Sequence, residues 1–305
     1  MTNGLRYGKI AGASAGKQKK ERENRELKEK KIPAPLWVAT AALLMSTGGL
    51  FIKMSPWNGF SINGARCFFA VFVVGIYLAL TRHRLKLNRW VLLGSVFVSG
   101  TCLLYSVANT LTTAANAIVL QFTAPIFVMV LQAIFWKKRP TKLQMICCIL
   151  VLVGVAFFFL DGLSAGNQLG NFLALCAGLS YAGVFLLNEL PDADPISSVF
   201  FANILSALAG LPYLFGETDF GAMAWTSVIL LGVFQVGLAY VFMCKGLQGT
   251  PAVTASLITG IEPILNPVLV AVFFHEAIGT LAIPGAVLVI GTVLYYNVRS
   301  AKTSA

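Results

Sequence analysis

The sequence predicts an all-α integral membrane protein of ten transmembrane helices, arranged as two inverted five-helix repeats. Three observations lead there. Between Pro35 and Asn297 the chain is a near-continuous series of apolar stretches, each about 20 residues long, the length that carries a helix across the roughly 30 Å hydrocarbon core of a bilayer. The basic residues gather at alternate ends of those stretches. Finally, the chain aligns with itself when Ala114 is set against Ala252.

Taken in order, the helices are expected at about 36–54, 59–80, 90–109, 113–136, 143–160, 169–190, 197–215, 225–245, 251–274 and 280–298. Before them runs a tail over residues 1–34, Gly-rich at first and then dense in charge from Lys17 to Lys31, a solvated or lipid-skimming segment. The first helix follows Lys30 and Lys31 as a signal peptide would. It is too long for such a segment and lacks a small-x-small cleavage site, so it is read as a retained helix. The two halves are then residues 35–161 and 168–299.

The residues are 57% hydrophobic and 11% charged, against roughly 25% charged in soluble domains. The net charge of +11 does not point to nucleic acid, because the basic residues flank apolar helices rather than forming one patch. An anionic inner leaflet is the expected partner. Ten Lys or Arg fall in the tail, four in the Arg82–Arg89 loop and four in the Lys137–Lys142 loop. Lys245, Arg299 and Lys302 complete that side, and only Lys53 and Arg66 fall elsewhere. Connections near Pro56, Thr110, Asp161, Glu217 and His275 carry none, apart from Lys53 at the border of the first. Basic loops stay cytoplasmic, which predicts a multi-pass plasma-membrane protein with both termini inside.

The self-alignment of Ala114–Trp136 with Ala252–Phe274 contains eight identical pairs, at Ala114/Ala252, Ala117/Ala255, Pro125/Pro263, Ile126/Ile264, Val130/Val268, Leu131/Leu269, Ala133/Ala271 and Phe135/Phe273. Apolar composition alone would give roughly two or three. Five spans per half is an odd number, so the copies insert in opposite orientations, the architecture of alternating-access transporters.

Asn63-Gly-Ala-Arg66-Cys-Phe-Phe-Ala70 resembles the second-helix motif of the EamA family of the drug/metabolite transporter superfamily. Ala114-Ala-Asn-Ala117 leading to Ala124-Pro-Ile-Phe127 resembles its fourth helix. Gly260-Ile-Glu-Pro263 followed by Phe274-His-Glu276 is similar to the partner in the second half. The resemblance spans about residues 36–298 and implies a transporter of a small metabolite, usually an exporter of amino acids or similar compounds. One departure stands out. The family often has an acid at the end of the fourth helix, as Glu276 follows the ninth, and this chain has Lys138 there.

Two charges lie within spans. Arg66 sits about seven residues into the second helix, roughly 10 Å below its start at 1.5 Å per residue. It either snorkels or braces a neighbour, or it offers a guanidinium fork to a substrate carboxylate or phosphate. Glu262 is the carboxylate well inside a span, with Thr259 and Asn266 on the same helical face at i−3 and i+4. Pro263 and Pro267 free backbone carbonyls beside it. Burial penalises a charged carboxylate, which makes Glu262 a candidate for carrying a proton. The alternative is a structural Glu bonded to a broken helix. Lys53 reads as an interfacial anchor.

Further candidates for the substrate site are polar residues at helical spacing. They are Tyr105 and Asn109 with Thr101 on helix three, Gln121 with Gln132 on helix four, and Gln235 and Tyr240 on helix eight. On helix six, Asn171, Gly178, Tyr181 and Asn188 share a stripe with Ala174. Each could equally be an interhelical hydrogen bond. Gly48, Gly49, Gly285 and Gly291 are expected to permit close helix packing.

No cofactor or metal is expected. The six cysteines lie in apolar stretches without a CxxC pair, and His83 and His275 are the only histidines. Gly12-Ala-Ser-Ala-Gly16 matches a nucleophile-elbow pattern but lies in the hydrophilic tail with no strand before it. Enzyme readings therefore fail on inventory. A membrane enzyme or a sensor using the tail is the rival class, and an importer or exchanger of phosphorylated or nucleotide-linked metabolites is the rival within transport. A homodimer is compatible with the sequence.

The charge distribution makes the orientation testable. In a background without native cysteines, single cysteines at Asn167 and Thr218 should react with an impermeant thiol reagent added outside cells, and one at Arg84 should not. Labelling at Arg84 alone would reverse the orientation.

Overall fold

The structure of the chain, a computed structural model, describes residues 32–112, 114–158, 160, 167–275 and 280–304. The tail over 1–34 lies outside them except for its last three residues, as do Asp161 and Glu276. Ten helices follow one another among the described residues. They are α1 (Ala34–Met54), α2 (Gly59–Leu80), α3 (Arg89–Leu111), α4 (Ala114–Gln121 and Ala124–Phe135), α5 (Lys142–Phe158), α6 (Gln168–Phe185), α7 (Pro195–Gly210, continued by a 3-10 segment over Leu211–Gly216), α8 (Ala222–Leu247), α9 (Ala252–Phe274) and α10 (Ala282–Ser304). Nine are long and apolar enough to cross a membrane, and α5 contains a shorter apolar helix over Lys142–Phe157. The chain is an all-α membrane protein.

Asparagine starts three of these helices. The side-chain oxygens of Asn58, Asn88 and Asn167 each accept from two backbone N–H groups of the first turn, at 2.8–3.2 Å. Such caps contribute about 0.5–2 kcal/mol each. At the other end of α6 the α-helix stops at Phe185, short of the predicted 190, and a 3-10 turn covers Leu187–Glu189. Asn188 is consequently exposed and off the polar stripe expected for helix six. The tenth helix runs on past 298 to Ser304.

Three helices are interrupted, each for a local reason. In α4 the helix breaks at Phe122 and Thr123, and in α9 a 3-10 turn covers Thr259–Ile261. These are equivalent positions in the self-alignment, and a proline follows each, Pro125 and Pro263. A proline ring collides with the carbonyl four residues earlier and removes one N–H. Ser46 and Thr47 break α1. Hydroxyls take up the carbonyls beside all three breaks, from Ser46 to Ala42 (2.7 Å), Thr47 to Leu44 (2.7 Å), Thr123 to Leu120 (2.6 Å) and Thr259 to Ser256 (2.9 Å). The fourth irregularity is a π-helical stretch over Leu231–Leu238 inside α8.

The helices pack with a two-fold correspondence. α3 lies on α6 as α8 lies on α1; α3 lies on α7 as α8 lies on α2; α4 lies on α6 as α9 lies on α1. α2 pairs with α7, and α5 with α10. Exchanging the halves maps this packing onto itself. Contacts also group the helix ends. Asn58 meets Glu217, Trp57 meets Asp219, Lys53 lies over the Phe274 ring and Thr112 bonds Asn171 at one end. His83 meets Asp194, Lys138 meets Glu189 and Gly246 abuts Val38 at the other.

Lipid tails supply no hydrophobic drive for helix association, so close backbone approach has to supply the packing energy. A Cβ on Gly64 would lie 2.4 Å from the Gly210 carbonyl carbon, where α2 crosses α7. A Cβ on Gly154 of α5 would lie 2.7 Å from Val289 Cγ2 and 3.0 Å from the Gly285 carbonyl oxygen of α10. Gly291 does not follow the expectation of close packing, because it faces outward and a Cβ there would meet nothing within 4 Å. Gly64→Ala should therefore cost about 1–3 kcal/mol by overpacking, seen as a lower melting temperature of the detergent-solubilised protein. Gly291→Ala should leave that temperature unchanged or raise it. Equal melting of Gly64→Ala and wild type would refute the backbone-contact account of this crossing.

Candidate functional site

The helix irregularities surround a cavity of about 470 Å³. It lies in the half of the bundle that ends in residues 55–58, bordered by Ile52 and Gly59 near that end and reaching Tyr181, Tyr240 and Glu262 deeper in. A wider recess of about 570 Å³ beside α7 is lined by Leu208, Leu211, Pro212, Leu214, Phe215 and Phe220, with Glu217 at its rim. That lining brings few polar groups together, so the inner cavity is the candidate site.

Arg66 reaches the cavity from the second turn of α2 and is only 6% exposed. Its Nε and Nη2 donate to Asn63 Oδ1 at 3.2 and 2.8 Å, and Nη1 donates to Gln235 Oε1 at 3.3 Å. Among the described residues no carboxylate lies within ion-pair distance of it. Gln235 comes from the π-helical stretch of α8, an irregularity frequent at functional sites. Gly232 in the same stretch lets α8 approach, since a Cβ there would lie 2.5 Å from the Arg66 carbonyl oxygen.

Glu262 opens the second segment of α9, and its Oε2 accepts from the Tyr181 hydroxyl at 3.5 Å. Asn266, one turn further on, rests against Gly49, where any Cβ would collide with the amide oxygen. Gly48 gives similar room to Gln235. The broken, glycine-bearing part of α1 is thus the wall that lets the polar side chains of α8 and α9 reach the cavity. Tyr105 and Thr101 from α3, Gln121 from α4, and Tyr240 from α8 complete the polar lining, with Cys102 at 4.0 Å from the Tyr240 hydroxyl.

Of the residues singled out from the sequence, the fold brings Arg66, Glu262, Asn266, Tyr105, Gln121, Tyr181, Gln235 and Tyr240 to one cavity. Thr259 is not among the lining: it is fully buried, its hydroxyl donates to the Ser256 carbonyl, and it stays beside Tyr181 together with Glu262. The side chain of Asn109 lies outside the described residues. Asn171 is tied to Thr112 and Asn116, and Gln132 is drawn away to Glu189. Asn63 and Ser106 were not singled out. Asn63 stands three residues before Arg66, a spacing that places both on one helical face, and that was its available signal.

Further along α6 and α8 from Tyr181 and Tyr240, Phe185, Leu187, Met243 and Leu247 are buried in the apolar core, as is Val38 of α1. Two polar clusters lie beyond them. The Glu189 carboxylate accepts from Gln132 Nε2 (2.6 Å) and Lys138 Nζ (3.1 Å), and its main-chain carbonyl accepts from Trp136 Nε1 (3.0 Å). His83 pairs with Asp194, which also accepts from Ser197 Oγ at 2.8 Å. Among the described residues no group of His, Cys, Asp and Glu side chains is placed to hold a metal.

Comparison with known proteins adds a family. The model of the EamA-like transporter family matches residues 32–160 and again residues 168–298. An uncharacterized transporter of Archaeoglobus fulgidus is 25% identical over 261 residues, covering 84% of this chain and 93% of the relative. An uncharacterized transporter of Clostridium kluyveri is 24% identical over 293 residues, covering 86% and 92%. A solved crystal structure shares the fold with a TM-score of 0.73 at 20% identity, over 85% of this chain and 95% of its own. With both halves matched, the chain belongs to the EamA-like transporter family and is a multi-pass membrane transporter.

Proposed function

We propose that this transporter exports a small zwitterionic metabolite of amino-acid size by alternating access between two inverted repeats. The observation that carries the reading is the placement of Arg66 and Glu262 in one cavity, with buried apolar side chains further along α6 and α8. A cavity of about 470 Å³ suits a small ligand. Arg66 offers its guanidinium to a carboxylate, and Glu262 offers its carboxylate to an ammonium group or a proton. Tyrosine, glutamine and asparagine side chains satisfy the remaining polar atoms. Phosphorylated or nucleotide-linked cargo is less well served, since Arg66 is the only Lys or Arg among the described lining residues. The family resemblance supports export, and the basic loops, expected to stay cytoplasmic, support a plasma-membrane location with both termini inside.

Glu262→Gln keeps size and hydrogen bonding but removes titration. In proteoliposomes it should abolish accumulation driven by an imposed pH difference while exchange of the same amino acid persists. Wild-type transport that ignores the pH difference would sink the coupling role. Loss of exchange as well would assign Glu262 to binding, and wild-type behaviour in both assays would make it structural.

Alternating access requires the Glu189 cluster to open. Lys138 is 58% exposed, so its ion pair is screened and contributes only about 0–1 kcal/mol, a suitable strength for a latch. Lys138→Glu should favour opening at this end and slow labelling of Cys102, kept as the sole cysteine, by an impermeant reagent added outside. The combined Lys138→Glu, Glu189→Lys exchange should restore the rate. Unchanged labelling in Lys138→Glu would count against a latch.

A further inference from the structure

Arg66 is held in an unusual way for a buried charge. Removing a guanidinium from water costs several kcal/mol unless a counter-charge compensates. Here the groups that hold it are two neutral amide oxygens, those of Asn63 and Gln235. Amide oxygens orient a guanidinium without cancelling its charge.

The donors can be counted. A guanidinium has five N–H groups. Asn63 Oδ1 bridges Nε and Nη2, so it occupies the side edge of the fork. Gln235 takes one donor of Nη1. Beyond these two amides one N–H on each terminal nitrogen remains, beside the Cys67 thiol and the cavity, and such N–H groups can bind carboxylate oxygens. Asn63 is 2% exposed and does not line the cavity, whereas Arg66 does. Asn63 therefore acts through Arg66. Its position is set by α2 itself, three residues before the arginine, and Gln235 arrives from α8 through the π-helical stretch.

We infer that Asn63 and Gln235 are positioning residues that hold Arg66 at the cavity wall and present its full charge to the carboxylate of the cargo. The inference rests on the transport reading above and deepens it, because it assigns selectivity for a carboxylate over its uncharged carboxamide to this three-residue unit. Asn63→Asp or Gln235→Glu would keep the size of the holding group but pair the arginine internally, leaving less charge for the cargo. Asn63→Ala would leave the fork unheld.

The test uses the full chain in proteoliposomes, with uptake of radiolabelled common L-amino acids measured first on wild type. For the best-transported amino acid, Asn63→Asp and Gln235→Glu should each raise KM about tenfold or more, the scale of one hydrogen bond to a charged group, with kcat little changed. Competition by the matching carboxamide should be unaffected, so the preference for the acid shrinks. Asn63→Ala should act in the same direction. Wild-type KM in the Asp and Glu variants would overturn the inference and leave the transport reading standing. Proportional loss of acid uptake and carboxamide competition would also overturn it, by assigning both residues a structural role. If wild type moves no amino acid of the set, the zwitterion reading falls and this inference falls with it.

Discussion

An unpaired backbone N–H or C=O in hydrocarbon costs several kcal/mol, and the rest of this structure follows from that cost. It confines the chain to helices wherever lipid surrounds it. It also restricts irregular backbone to places where protein or a cavity covers the freed groups. The breaks at Ser46–Thr47, Phe122–Thr123 and Thr259–Ile261 and the π-helical stretch over Leu231–Leu238 obey this restriction. Ser and Thr hydroxyls cap the carbonyls beside the three breaks, and all four irregular segments border one cavity or adjoin residues that do.

The cavity exists because small residues let helices approach on either side of it. Gly48 and Gly49 leave room for Gln235 and Asn266, and Gly232 brings α8 against α2 at the level of Arg66. The two charges of the site then differ in how they are supported. Arg66 has three hydrogen bonds to amide oxygens, while Glu262 has a single long contact from Tyr181.

The two ends of the bundle are built differently. Beyond Tyr181 and Tyr240 there is apolar packing along α6 and α8, and polar clusters form around Glu189 and the buried Asp194. Of their ion pairs, that of the exposed Lys138 with Glu189 contributes little by itself. A transporter benefits from weak contacts of this kind, because states separated by a few kcal/mol interconvert and a ligand can shift their populations.

The number of helices, their approximate bounds, the duplication and the paired proline breaks were determined by the sequence alone. Each depends on local properties: apolar length, flanking charge and the missing proline N–H. The cost of burying charge similarly marked Arg66 and Glu262. Tertiary structure decided what spacing along one helix could not. It turned Thr259 to the Ser256 carbonyl, sent Gln132 to Glu189, exposed Asn188 beyond the end of α6 and left Gly291 facing outward. It also brought Asn63 and Gln235, from helices more than a hundred and fifty residues apart in sequence, to the same guanidinium. Helical periodicity says which residues share a face, but which face meets which neighbour is set by packing between helices that are remote in the chain.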